Sequence, residues 1–279
     1  MSEERYSIHS SSRSRADEME HIYLNLPSNG SPLTYPQNTS ANFTTNLAKN
    51  VRLEGRWEAA LLELQYVNTI FNVREGENYI VVRLENTEHL PHDLRTEIPP
   101  GQYKNETMLV DAVNQRIKSV LPHLPYFLSM NEAGYVTTRR LVAEKKIGDL
   151  LFKTLAILLA PNIQRQLGLA NLELSLDVEH KALQPANVAA GIPSQIFVYC
   201  DKITPTYVGH CLAPLLRTVP LTNDRFGSTI TYTVETPLYF PLTSHSFDTL
   251  EISLRDSVGR FIPFSYGTSC VLLELRRRV

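Results

Sequence analysis

Cysteine is scarce in this chain: three in 279 residues, at Cys200, Cys211 and Cys270. An odd number at scattered spacing excludes a disulfide framework, and no Cys-x-x-Cys or His-x-x-x-His pair offers zinc-site spacing. The eight histidines are dispersed, and the nearest pair, His89 and His92, flanks Leu90-Pro91, a poor arrangement for shared metal ligation. Also missing are the glycine-rich loops that cradle phosphates and the Gly-x-Ser-x-Gly elbow of serine hydrolases. Charge of one sign is not in excess: 27 Lys+Arg against 29 Asp+Glu give a formal net charge of −2, so the bulk surface makes no electrostatic case for nucleic acid or an anionic membrane as the main partner. The longest apolar run, Leu155–Ala160, is far too short to span a bilayer, and no membrane association is expected. The polar start, Met1–Arg15, lacks the apolar stretch of a signal peptide. With unpaired thiols, that points to a reducing compartment, where the glycosylation-type triplets at Asn38, Asn42 and Asn105 carry little meaning.

What is present is alternation. From Ser194 onward the chain reads as strand after strand. Ile196, Val198 and Cys200 fall on one side of their run, with Phe197, Tyr199 and Asp201 on the other. Leu250, Ile252 and Leu254 oppose Glu251, Ser253 and Arg255, and Val271, Leu273 and Leu275 repeat the pattern. Period-two alternation marks strands half buried in antiparallel sheets. Pro205, Pro214, Pro220, Pro237, Pro241 and Pro263 punctuate these runs, as expected of strand ends and corners. A hydrophobic content of 43%, with thirteen Tyr and ten Phe, is enough for a core. The expected class is mainly β, a β-sandwich.

Organisation follows from texture. Residues 1–20, rich in Ser, Arg and Glu, are expected to form a flexible tail. Residues 21–74 and 191–279 should form the sandwich. His21–Leu26 and Asn42–Leu47 read as strands, and Trp57–Tyr66, apolar on both faces, reads as a central strand despite its Ala, Leu and Glu. Residues 75–190 read as an α+β insertion. There Asn78–Glu85 is strand-like, and Asn105 can cap a helix carrying Leu109, Val110, Val113, Ile117, Val120 and Leu121 at three- and four-residue spacing, stopped at Pro122. Tyr126–Met130 and Tyr135–Arg139 suggest a hairpin, and Leu150–Leu159 one or two buried strands. Pro161 suits a helix start and Gly168 its left-handed end. Further strand-like pieces are expected around Leu172–Val178 and His180–Leu183.

Few residues offer chemistry. Cys200, Asp201, His210 and Cys211 are close in sequence and could supply a cysteine hydrolase with thiol, imidazole and carboxylate. Alternation instead points Cys200 into the core. Arg276–Arg278 is a basic cluster that either ends a strand among salt bridges or touches nucleic acid, and Ser12–Arg15 is a solvated tail or a contact arm. Trp57 is expected to pack in the core. No catalytic, cofactor-binding or metal-binding residue is assigned.

Several strings occur in an order that resembles a known family: Leu53–Leu61 (LEGRWEAAL), Pro100–Tyr103, Leu109–Ile117, Gln166–Leu169, Gln195–Asp201, Pro214–Pro220, Pro237–Leu242, Phe247–Ile252 and Ile262–Gly267, before a last strand ending in arginines. Over roughly residues 20–279 the chain is similar to the minor capsid (penton) proteins of Polinton/Maverick elements and adintoviruses. The resemblance implies a single jelly roll, a homopentamer at the fivefold vertices of an icosahedral capsid, and a double jelly-roll major capsid protein as neighbour. It further implies a virion component, made in the cytoplasm and assembled in the host nucleus, with at most weak contact between the tail or C-terminal arginines and packaged DNA. It carries over no catalytic residue and no cofactor. A receptor- or glycan-binding sandwich is the other non-enzymatic alternative.

Overall fold

The computed structural model describes residues 21–278 apart from 87–90, 123, 141–143, 148–149, 171–172 and 222–224. The expected tail, with Ser12–Arg15, and His89 lie outside the described residues. The first stretch holds β1 (His21–Pro27), β2 (Asn42–Arg52) and β3 (Arg56–Val67). The middle stretch holds β4 (Tyr79–Asn86), β5 (Pro91–Glu97), α1 (Glu106–Val120), β6 (Leu128–Met130), β7 (Val136–Thr138), β8 (Glu144–Ile147), β9 (Leu150–Leu159), α2 (Pro161–Gln166) and β10 (Glu173–Ser175). The last holds β11 (Gln195–Cys200), β12 (Thr206–Val208), β13 (Cys211–Ala213), β14 (Leu215–Pro220), β15 (Thr229–Thr233), β16 (Phe240–Pro241), β17 (Ser246–Arg255) and β18 (Ser269–Arg278).

Two antiparallel sheets face each other. One has the order β1-β18-β3-β15, with β16 also paired to β3; the other has the order β14-β11-β17-β2. Numbering only these eight principal strands along the chain, the sheets read 1-8-3-6 and 2-7-4-5. That order is a jelly roll, two interleaved Greek keys. Between the sheets lies one apolar cluster fed by both: Trp57, Leu61, Leu64, Tyr66, Val271, Leu273 and Leu275 from the first against Phe43, Ile196, Val198, Leu250, Ile252 and Leu254 from the second. Each fully buried large side chain contributes about 1.5–3 kcal/mol through burial. Every inward position read from the alternation of β11, β17 and β18 is buried, but two residues on the outer sides, Ser253 and Glu274, are buried as well. Trp57 is buried, with its indole N–H donating to the Glu54 carbonyl at 3.0 Å. β3 is strand, not helix; it is central in its sheet, between β18 and the β15/β16 edge, and is buried on both faces from Trp57 to Leu61.

The middle stretch leaves the sandwich after β3 and rejoins it at β11. Its main sheet has the order β10-β9-β4-β5, with β8 also on β9, and a second apolar cluster packs it against α1 and α2 through Ile80, Val82, Leu109, Val113, Ile157 and Ile163. Asn105 caps α1 by accepting from Met108 N–H at 2.9 Å. The hairpin predicted around Asn131–Gly134 is β6–β7. His180–Leu183 forms no strand; only Lys181 makes an isolated bridge, to Thr137.

Asn72 ties the middle stretch to itself where it begins. Its side chain donates to the Tyr103 carbonyl and accepts from Tyr103 N–H, both at 2.9 Å, while its own carbonyl accepts from Asn162 at 2.9 Å and Gln166 at 2.8 Å. Asn72 is fully buried. Replacing it with Ala leaves two Tyr103 backbone groups without their partner, so urea unfolding should show a loss of about 2–3 kcal/mol. A loss below about 0.5 kcal/mol would mean that water replaces the amide.

The two ends of the sandwich differ. At one end lie the 28–41 and 256–268 loops and the junctions with the middle stretch, joined by Ser28 N–H to Ser269 O, Ser40 Oγ to Gly267 O, Asn68 N–H to Ser228 O and Leu221 N–H to Ser194 O. At the other lie the start of β1, the β2–β3 turn, the β12–β13 hairpin and the end of β18, joined by Leu53 N–H to His245 O, Thr243 N–H to Lys202 O and the His21–Arg276 register. The middle stretch and the chain's described termini therefore occupy opposite ends.

Candidate assembly surface

The thiol arrangement weighed from sequence does not come together as a reactive centre. Cys200 is buried with Ile196 and Val198, and burial pushes its thiol up to about 12, far from a ready thiolate. Asp201 is committed elsewhere: Oδ1 accepts from Glu251 N–H at 2.8 Å and Oδ2 pairs with Lys202 at 2.6 Å. His210 lies in the turn between β12 and β13, and Cys211 is exposed at the start of β13. Among the described residues no group of three His, Cys, Asp or Glu side chains is placed to hold a metal ion, and no helix is long and apolar enough to cross a membrane.

The surface carries a different signal. The β12–β13 hairpin projects between β11 and β14, and its opposed pair Tyr207 and Leu212 is 83% and 63% exposed. Among the described residues the two strands pair only with each other, as a sheet of two. Large apolar side chains held in water on a two-stranded ribbon are a ready surface for another chain. A cavity of about 390 Å³ lies beside the hairpin along β11 and β17, lined by Tyr199, Asp201, Ala213, Pro214, Glu251 and Arg255, among others. Neither Tyr207 nor Leu212 stands out in the sequence, because Thr-Tyr-Val and Cys-Leu-Ala look like any core strand.

A second polar feature secures the outer face of the β1–β18–β3 sheet. Glu274 is almost fully buried and accepts from Tyr239 Oη at 2.6 Å and Tyr23 Oη at 3.3 Å, with His21 Nδ1 at 2.5 Å. Arg276 stacks over the Tyr239 ring at 3.3 Å and pairs with Glu58 at 3.2 Å, and Arg278 reaches the same carboxylate at 3.7 Å. Burial alone would raise the Glu274 carboxyl, but the hydrogen bonds from Tyr239, His21 and Tyr23 outweigh it and hold it below the usual value of 4.5. A depressed folded value gives stability that is present above the unfolded value and lost as pH falls through the folded one. Thermal melts of Glu274→Gln and the parent chain should therefore differ most near neutrality and converge in acid. A gap that widens below the ordinary glutamate value would reverse the assigned sign.

No protein-family model matches this chain, and no curated protein matches its sequence. Among solved structures, it is similar to the mavirus penton protein, at 11% identity and a TM-score of 0.49, covering 93% of this chain and all of that one. It is also similar to a chain of the Sputnik virophage cryo-EM structure, at 10% identity and a TM-score of 0.41, covering 92% and 98%. Both scores lie below 0.5, so the fold assignment rests on the strand order itself.

Proposed function

We propose that this protein is a structural minor capsid (penton) component, five copies of which close a ring at the fivefold vertices of an icosahedral shell beside a double jelly-roll major capsid protein. The observation that carries the reading is the jelly-roll strand order, 1-8-3-6 over 2-7-4-5, running through the ordered strings that resemble Polinton/Maverick penton proteins. A jelly roll alone also serves lectins and cupins, so fold does not decide function. What favours a building role is that two exposed apolar groups, Tyr207 and Leu212, sit opposite one another on a projecting hairpin, while Cys200, the thiol nearest a carboxylate in sequence, is buried and far from a ready thiolate. A ring of identical subunits needs two different patches meeting head to tail. The hairpin supplies one of them.

On this reading residues 75–190 act as a separately cored module at one end of the sandwich, and the opposite end, with the start of β1 and the C-terminal arginines, faces the shell interior. Residence in the virion follows, with synthesis in the cytoplasm and assembly in the host nucleus. A receptor- or glycan-binding role for the module is compatible with this placement. Negative-stain imaging of the purified protein tests the reading: fivefold rings are expected, and a field of single particles without symmetry would contradict it.

A further inference from the structure

The end of β2, the turn into β3 and the ends of β18 and β17 paired to them carry six cations, Lys49, Arg52, Arg56, Arg276, Arg277 and Arg278, against three carboxylates, Glu54, Glu58 and Asp248, in a chain whose overall formal charge is −2. The cations are brought together by pairing, not by sequence. Arg56 lies opposite Arg278, Trp57 opposite Arg277 and Glu58 opposite Arg276, and the Arg277 guanidinium lies across the Gly55 turn, 3.3 Å from where a Cβ on that glycine would be. Glu58 is shared by Arg276 and Arg278, so its single negative charge offsets one of the two, and both guanidiniums are drawn toward the sheet. Lys49, Arg52, Arg56 and Arg277 are exposed, and among the described residues none of them makes an ion pair. Alternation puts Arg276 and Arg278 on one side of β18 and Arg277 on the other, so the run Arg276–Arg278 is two features: a structural clamp on Glu58, and a free charge that joins the turn.

We infer that this end of the sandwich is a sequence-independent binding face for the phosphate backbone of a nucleic acid, with Lys49, Arg52, Arg56 and Arg277 as its contacts. The inference deepens the shell reading by naming what the interior end meets, although it is drawn from a single chain and does not require the ring. Exposed cations around a β-turn make point contacts with phosphates and read no bases, so affinity should be salt-dependent and indifferent to sequence. The middle stretch, at the far end, should contribute nothing.

The test is fluorescence anisotropy of the full chain with a labelled DNA duplex across a salt series, with an RNA duplex and polyglutamate as competitors. Binding should weaken linearly on a log–log plot. In the K49Q/R52Q/R56Q/R277Q variant the slope should fall by about 0.9 for each phosphate contact removed, about three to four in all. A control that neutralises Arg95, Arg116, Lys118 and Lys181, all in the middle stretch, should keep the parent slope. All eight side chains are on the surface or clear of the core, and far-ultraviolet circular dichroism checks that both variants fold. Undetectable binding by the parent chain at low salt, an unchanged slope in the first variant, or competition by polyglutamate as strong as by nucleic acid would each overturn the inference. Preference for RNA over DNA would leave the phosphate face standing and reassign the nucleic acid. Because ring formation is scored separately by imaging, failure here with rings intact rejects the phosphate face alone, and loss of rings rejects the shell reading alone.

Discussion

Replacing Tyr207 and Leu212 together with aspartate should abolish assembly without unfolding the chain. Both side chains project from the β12–β13 hairpin into water, so neither removal creates a cavity. Surface changes of this kind usually move stability by less than about 0.5 kcal/mol. At an interface the same positions behave otherwise. A tyrosine anchor of the hot-spot type is worth about 2 kcal/mol or more when truncated, and placing a carboxylate in its pocket adds an uncompensated charge. The double variant should therefore raise the dissociation constant of the assembly by at least about 100-fold, with a melting curve that overlays the parent's. Analytical ultracentrifugation over a concentration series measures the first quantity and calorimetry the second. Unchanged assembly in the variant would move the adhesive surface off the hairpin.

The second large effect is internal. Gly168 follows α2 with φ at +70°, and a Cβ built there would lie 2.1 Å from the Gln184 carbonyl oxygen and 2.9 Å from its carbon. Those atoms are backbone, held in place by the bond from Leu183 N–H to the Gly168 carbonyl at 2.9 Å. No rotamer relieves the overlap, so the 183–187 segment must part from α2. Gly168→Ala should cost about 3–5 kcal/mol, the strained φ accounting for about 1–3 of it and displaced packing for the rest. Gly76 separates the two contributions. It has φ at +78° but open space where a Cβ would go, so Gly76→Ala should cost only the conformational part, about 1 kcal/mol. Denaturant midpoints of the two variants test the claim, and equal losses would contradict it.

Gly168 also illustrates what the sequence made legible. Pro161 and Gly168 bracket a short helix whose ends are fixed by local geometry, so both ends could be read without knowing the fold. The same holds for Asn105 and for β11, β17 and β18, where each residue's side of the sheet follows from alternation. β5 could not be read this way. Pro91-His-Asp-Leu-Arg-Thr-Glu97 lacks an apolar run because it is an outer strand, held at its partner by Arg83, which pairs with Asp93 and with Glu173 across the sheet. The strand character expected at His180–Leu183 is reduced to a single bridge, Lys181 to Thr137: backbone bonds join His180 to Thr138 and Ala182 to Val136, but Leu183 turns away to the Gly168 carbonyl, so no ladder extends.

The candidate surfaces were less legible than the fold. Tyr207 and Leu212 have the composition of core residues, and only the position of their hairpin outside both sheets puts them in water. Arg277 and Arg56 are more than 200 positions apart and meet through the β3–β18 register. Glu274 could be placed on the outer side of β18 by alternation, but its burial depends on Tyr239, which belongs to a distant segment. Charge clusters and adhesive faces are products of pairing, whereas strands and caps are properties of neighbouring residues.

The most direct test of the central claim is the mass of the purified full-length protein in solution, by light scattering coupled to size exclusion across a range of concentrations. The shell reading predicts a discrete species at five times the 31.6 kDa chain mass. A single species at the mass of one chain at every concentration, or a discrete dimer or tetramer, would contradict it.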